Sequence, residues 1–193
     1  MEQTELSVVN ALLECIEETA IQAIDRTHPD VIFALNAWKE QSVNIQSMGW
    51  WYNREQYQLS PDARTGEVFL PSGTLAADLA GTTYVKRGRK LYDKELHSFI
   101  FDSNTPAEDL LVDCIMEWKI EELPPSVFRL ILIDCKMAII TNREQDQVKL
   151  QMLSNERSMA YANVQKENLD YMDTSAFDTN KFRLFQSTQP RRY

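Results

Sequence analysis

Ile45-Gln46-Ser47-Met48-Gly49-Trp50-Trp51-Tyr52-Asn53 is where the chain changes character. Before it, apolar residues recur three and four apart. After it, glycine and proline cut the chain into short segments. Gly49 closes a helical pattern and three aromatic residues follow at once. Large aromatics dominate cores and interfaces alike. Gly49, Trp50, Trp51 and Tyr52 are therefore read as a structural junction between a helical part and a β-rich part. The alternative is a stacking platform for a sugar or base, with Tyr57 beyond it.

Working outward toward the N-terminus, Leu6, Val9, Leu13 and Ile16 predict a first amphipathic helix. A second starts at Thr27-His28-Pro29-Asp30, with proline near the first helical position, and carries a stripe of Ile32, Leu35, Trp38, Ser42 and Ile45. In the other direction, Gly66, Gly73, Gly81 and Gly88 fall between Trp50 and about Cys114, with Pro61, Pro71 and Pro106. Glu67-Val68-Phe69-Leu70 and Phe99-Ile100-Phe101 read as strands. Thr83-Tyr84-Val85 and Leu91-Tyr92 flank a hairpin turn, Lys86-Arg87-Gly88-Arg89-Lys90. Pro124-Pro125-Ser126 opens a third helix, apolar over a wide arc through Val127, Leu130, Ile131, Met137 and Ala138, with Asn142 as its end. A fourth runs from Glu144 to Tyr171 without glycine or proline, roughly 40 Å long at ~1.5 Å per residue. Its apolar face is thin, which suits a helix packed against neighbours. The expected fold class is α+β. A helical bundle (1–48 and 116–175) carries an inserted β-rich module (49–115) and an extended C-terminal arm (176–193).

Composition narrows the function. The 193 residues carry a net charge of −9, which disfavours holding phosphate backbones by counterion release and so argues against a DNA-binding regulator. A negative wall would instead keep passing DNA mobile. The acidic start, Met1-Glu2-Gln3-Thr4-Glu5, is no secretory signal. Arg129, Asp134 and Lys136 interrupt the most apolar stretch, so no membrane span is expected. The chain should be soluble and made in a cytoplasm. Cys15, Cys114 and Cys135 are odd in number and widely spaced, which argues against disulfides and zinc and predicts three buried thiols.

Candidate chemistry is sparse. There is no glycine-rich phosphate cradle and no nucleophile elbow. His28, beside a helix start, and His97, in the β region, lack a partner at metal-ligand spacing. Glu17-Glu18, Glu108-Asp109 and Glu121-Glu122 are adjacent acids, and Glu55 and Asp62 flank a turn. They read as solvated faces, with two-carboxylate glycoside hydrolysis as the rival. No catalytic, cofactor or metal residue is expected. Lys86, Arg87, Arg89 and Lys90 make a basic tip. It either discourages edge pairing or contacts an acidic neighbour or DNA. Residues 176–193 hold Lys181, Arg183, Arg191 and Arg192 against Asp178, a charge of +3 that leaves −12 on the rest. With Phe177, Phe182, Leu184 and Phe185 they read as a partner-docking arm.

Several blocks together resemble the tail tubular protein A family of short-tailed phages. Leu6-Ser7-Val8-Val9-Asn10 with Leu13 and Ile16 is similar to its N-terminal helix. The stretch from Ile45 to Asn53, with Leu59-Ser60-Pro61-Asp62 and Val68-Phe69-Leu70-Pro71, is the most specific. Val85-Lys86-Arg87-Gly88 with Leu91-Tyr92-Asp93, and Glu122-Leu123-Pro124 with Phe128, Arg129 and Ala138, follow in order, covering roughly residues 5 to 140. After Ile16 the family tends to have Gly-Glu-Pro, where this chain has Glu17-Glu18-Thr19-Ala20, so the turn after the first helix is a departure. The resemblance implies a head-to-tail adaptor: a virion protein in a ring of twelve copies under the portal protein. The tail nozzle (tail tubular protein B) would lie below and the tail fibre at the side. DNA would pass through the lumen without sequence-specific binding. It implies assembly in the host cytoplasm, no cofactor and no catalysis. The basic tip would then contact fibre, nozzle or DNA, and the arm would contact portal or a neighbouring subunit. The rivals are a virion-associated polysaccharide or cell-wall hydrolase and a regulatory binding module.

Overall fold

The computed structural model describes residues 2–79, 82–102, 105, 110–143 and 146–178. Helix α1 (Glu5–Cys15) starts at Thr4, whose hydroxyl accepts from the Ser7 amide while the Ser7 hydroxyl accepts from the Thr4 amide. This reciprocal cap satisfies two donors that a helix start otherwise leaves open. The helix buries Val8, Val9, Ala11, Leu12 and Leu13. Helix α2 (Pro29–Gln46) has its proline in the first turn, where the missing N–H costs nothing. His28 holds the N-cap position, but its side chain makes no capping bond. The buried stripe is Val31, Ala34, Trp38, Ser42 and Ile45. Ile32, expected in it, lies about 100° round the helix from Val31 and is exposed.

Helix α3 (Pro125–Arg143) buries nine residues over a wide arc, Val127, Leu130 and Ile131 among them, and packs against α1, α2 and α4. Helix α4 (Gln147–Asp178) starts at Asp146, whose carboxylate accepts from the amides of Val148 and Lys149. Its inner face sets Ala160 and Val164 into the bundle with Leu153 and Tyr161 beside them. Arg157 makes a two-pronged ion pair with Asp134 of α3, at 2.6 and 3.1 Å. The helix extends past the expected end at Tyr171, so Phe177 belongs to its last turn and not to an extended arm. Nothing between Tyr171 and Asp178 breaks helical propensity: no glycine or proline stands there.

The β part holds a three-stranded antiparallel sheet in the order β1-β5-β2, from β1 (Arg54–Gln58), β2 (Thr74–Asp78) and β5 (Leu111–Met116). β3 (Tyr84–Arg87) and β4 (Lys90–Asp93) form the expected hairpin. Gly88 has φ +62° and takes the first central position of the two-residue turn, where only glycine is unstrained. The two apolar runs expected as strands are not ladder strands. Residues 67–70 and 99–101 make only isolated bridges, Glu67 with Ile100 and Phe69 with Lys90. They act as loops that plug the β core with Val68, Leu70 and Phe101. The true central strand, β5, alternates cleanly, with Val112, Cys114 and Met116 inward.

Two apolar clusters result. One fills the helical bundle and the other lies under the sheet and hairpin, with Trp118 packed against both. The account predicts a contrast between the two faces of the bundle. Leu130→Ala, at a fully buried position, should lower unfolding free energy by ~2–5 kcal/mol. Met159→Ala, on the exposed face of α4, should change it by less than ~0.5 kcal/mol. Urea denaturation of both variants checks this.

Candidate interaction surfaces

Two wholly buried amides, Gln46 and Asn53, stand where the chain leaves and re-enters the helical bundle. The Gln46 side chain donates to Ser42 Oγ at 2.9 Å and to the Trp118 carbonyl at 3.1 Å, and accepts from the Trp118 amide at 2.8 Å. The Asn53 side chain accepts from the Trp50 amide at 2.8 Å and donates to the carbonyls of Gln46 and Met116, both at 2.9 Å. The Met116 amide returns a bond to the Asn53 carbonyl at 2.8 Å. The end of α2, the turn after it and the exit of β5 are thereby held as one unit. Sequence reasoning placed Asn53 in the deciding stretch but gave neither amide a role. The signal was there: two amides bracketing an aromatic run, where an unpaired polar group would be costly.

The aromatic run sits on this clasp. Trp50 is 5% exposed, donates its indole N–H to the Ile45 carbonyl at 2.8 Å and meets Tyr161 edge-on. Trp51 and Tyr52 are half-buried. The Trp51 amide donates to Asn168 Oδ1 at 2.9 Å, which ties α4 to the junction. Burial pushes the Tyr52 hydroxyl well above the usual phenol range. Gly49 has φ +72°, and a Cβ there would lie 2.7 Å from Ile115 Cδ1, so a larger residue would push the turn off the sheet. Trp50 presents no open ring face for a sugar or base.

The basic tip is partly spent on its own module. Lys86 donates to the Leu75 carbonyl at 2.7 Å, on the edge of β2. Lys90 pairs with Glu67 at 2.6 Å and stands over the Phe69 ring. Arg87 lies 3.6 Å above the Tyr92 ring. Arg87 and Arg89 are exposed. Phe69, under Lys90, and Phe99, edge-on to the Tyr92 ring that Arg87 overlies, are exposed too. The tip thus combines cations with exposed aromatic side chains.

The docking-arm residues Lys181, Phe182, Arg183, Leu184, Phe185, Arg191 and Arg192 lie outside the described residues, as do Glu108 and Asp109. Glu17 and Glu18 are exposed in the turn after α1, and Glu121 and Glu122 are exposed in a short 3-10 turn. Glu55 accepts from the Tyr57 hydroxyl, a bond that raises the Tyr57 pKa to about 12. Asp62 caps its own turn through the amides of Arg64 and Thr65. His28 stands 3.8 Å from Asp30, and His97 lies 3.4 Å from the Tyr92 hydroxyl. Among the described residues no group of three or more such side chains could hold a metal ion, and no helix is long and apolar enough to cross a membrane. Cys114 and Cys135 are buried, and burial raises both thiols. Cys15 is only half-buried, because it closes α1 at the rim of the bundle, which corrects the expectation of three buried thiols.

Two outcomes follow. Asn53→Leu keeps the branched shape but leaves the Trp50 N–H without its partner and removes one bond each from the Gln46 and Met116 carbonyls, the first of which still accepts from the Gly49 amide at 3.1 Å. At ~1–3 kcal/mol for a stranded buried group, unfolding free energy should fall by about that amount or more in urea. A chromogenic disulfide reagent should find Cys15 in the native protein, and Cys114 and Cys135 only after denaturation.

A family model described as tail tubular protein matches residues 6–174. Tail tubular protein A of Klebsiella phage KP34 is 27% identical over 122 residues, spanning 62% of this chain and 62% of that protein. The matched region thus covers less than two thirds of the relative's length. The family match, by contrast, runs from α1 through most of α4, across both apolar clusters and the clasp between them. On that extent, the chain belongs to the tail tubular protein family.

Proposed function

We propose that this chain is the structural head-to-tail adaptor of a short-tailed phage. Twelve copies form a ring that joins the portal to the tail nozzle, carries the fibres at its side and lines part of the DNA ejection channel. It works without catalysis or cofactor. The observation that carries this reading is the family match across residues 6–174. The molecule agrees in kind: described acids serve as caps, ion pairs and solvated faces, and α4 carries exposed Val148, Met152, Met159 and Leu169. A net charge of −9 per copy supports a channel wall that repels DNA during ejection.

The basic, aromatic segment after α4 is the proposed docking arm for the portal or a neighbouring subunit, and the Arg87–Arg89 tip is the proposed contact for nozzle, fibre or DNA. Deleting residues 179–193 leaves α4 whole. The truncated chain should fold with an unchanged circular dichroism spectrum yet fail to bind purified portal rings in sedimentation. Unchanged binding would refute the docking arm, and failure of the full chain to bind portal at all would refute the adaptor role.

A further inference from the structure

Helix α4 has two opposed faces. Leu153, Arg157, Ala160, Val164 and Asn168 point into the bundle. About 180° away, Val148, Met152, Asn155, Met159, Ala162, Lys166 and Leu169 are all exposed. This second row repeats in alternating steps of four and three, the spacing of a seam between two helices. Packing on α3 does not need it, since the inner row already does that.

The order of residues along the row selects its occupant. A parallel copy would set Lys166 against Lys166, stacking like charges at the seam. An antiparallel copy sets Met152 against the partner's Leu169 and Met159 against the partner's Ala162. Asn155 then meets the partner's Lys166, whose ammonium can donate to the amide oxygen. From Met152 to Leu169 each layer is matched, large with small or apolar with apolar, and the one polar pair is complementary; Val148 lies beyond these layers. At the flank, Lys149 (3.7 Å from Glu17 of its own chain) meets the partner's Asp170, twice by symmetry.

We infer that the free chain pairs with a second copy of itself through the outer row of α4, antiparallel and about a two-fold axis. Seven seam residues a side fall well short of the ~20–30 of a standard interface, so the dimer is weak and dissociates on dilution. The pairing itself does not depend on the adaptor role; its consequence does. A ring needs head-to-tail contacts, and a two-fold contact closes after two copies. The α4 pair is therefore a resting state of the free subunit that competes with ring assembly.

The test uses the full chain, alone, with Cys15→Ser and the buried Cys114 and Cys135 left in place. Met152→Cys and Leu169→Cys are made separately. In the antiparallel pair, Met152 and the partner's Met152 are ~25 Å apart at ~1.5 Å per residue. Each variant alone should stay uncrosslinked under mild oxidation, and an equal mixture should give covalent dimers. Sedimentation should show a concentration-dependent dimer, and Met159→Glu should raise its dissociation constant about tenfold or more by placing a charge in the seam. Self-linking of Met152→Cys would overturn the antiparallel pairing. No link in the mixture, or a monomer at every concentration, would overturn the dimer. None of these outcomes bears on portal binding, so the adaptor reading stands or falls separately.

Discussion

The chain crosses between its helical and β parts at two places, after α2 and after β5, and both crossings leave backbone groups that no helix or ladder can satisfy. Gln46 and Asn53 answer that constraint. Each is wholly buried, and together they take up the amides of Trp50 and Trp118 and the carbonyls of Gln46, Met116 and Trp118. Apolar residues in their place would fill the space and strand the amides of Trp50 and Trp118. A fully satisfied polar network also fixes one geometry where an apolar contact would allow several. The rest follows from it: Trp50 packs because the turn is fixed, Trp51 finds Asn168, and α4 is drawn onto the junction.

Much of this was legible in the residues, and the failures have causes. The four helices were readable because capping residues, prolines and three-to-four spacing agree. The hairpin was readable because Gly88 sits between two β-rich pairs. The sheet was not. Arg54-Glu55-Gln56-Tyr57-Gln58 and Thr74-Leu75-Ala76-Ala77-Asp78 hold only one strand-favouring residue each, Tyr57 and Thr74, among charged residues, amides and alanines. They become strands because β5 lies between them with an apolar inner face. Conversely, Val68 and Phe101 belong to apolar runs that look like strands and serve as plugs. Pattern records which side chains must be buried. It does not say whether backbone pairing or a loop buries them.

The candidate surfaces divide in the same way. The basic tip was visible as charge, but only the folded molecule reveals that Lys86 and Lys90 are engaged within the module and that the rings of Phe69 and Tyr92 lie under Lys90 and Arg87. The clasp was invisible for the opposite reason: a lone Gln and a lone Asn carry no motif, and their role exists only through partners 72 and 63 residues away. The thin apolar face of α4 was visible in the sequence, yet its second row emerges only once the inward row is known.

The measurement that bears most directly on the adaptor role is a reconstruction of an intact phage particle resolved well enough to trace helices. The account predicts a ring of four-helix subunits between portal and nozzle, with the bundle and sheet joined as described and the long helix of each copy recognisable. Finding the chain at the fibre tips, or finding no copy of it in the tail, would contradict it.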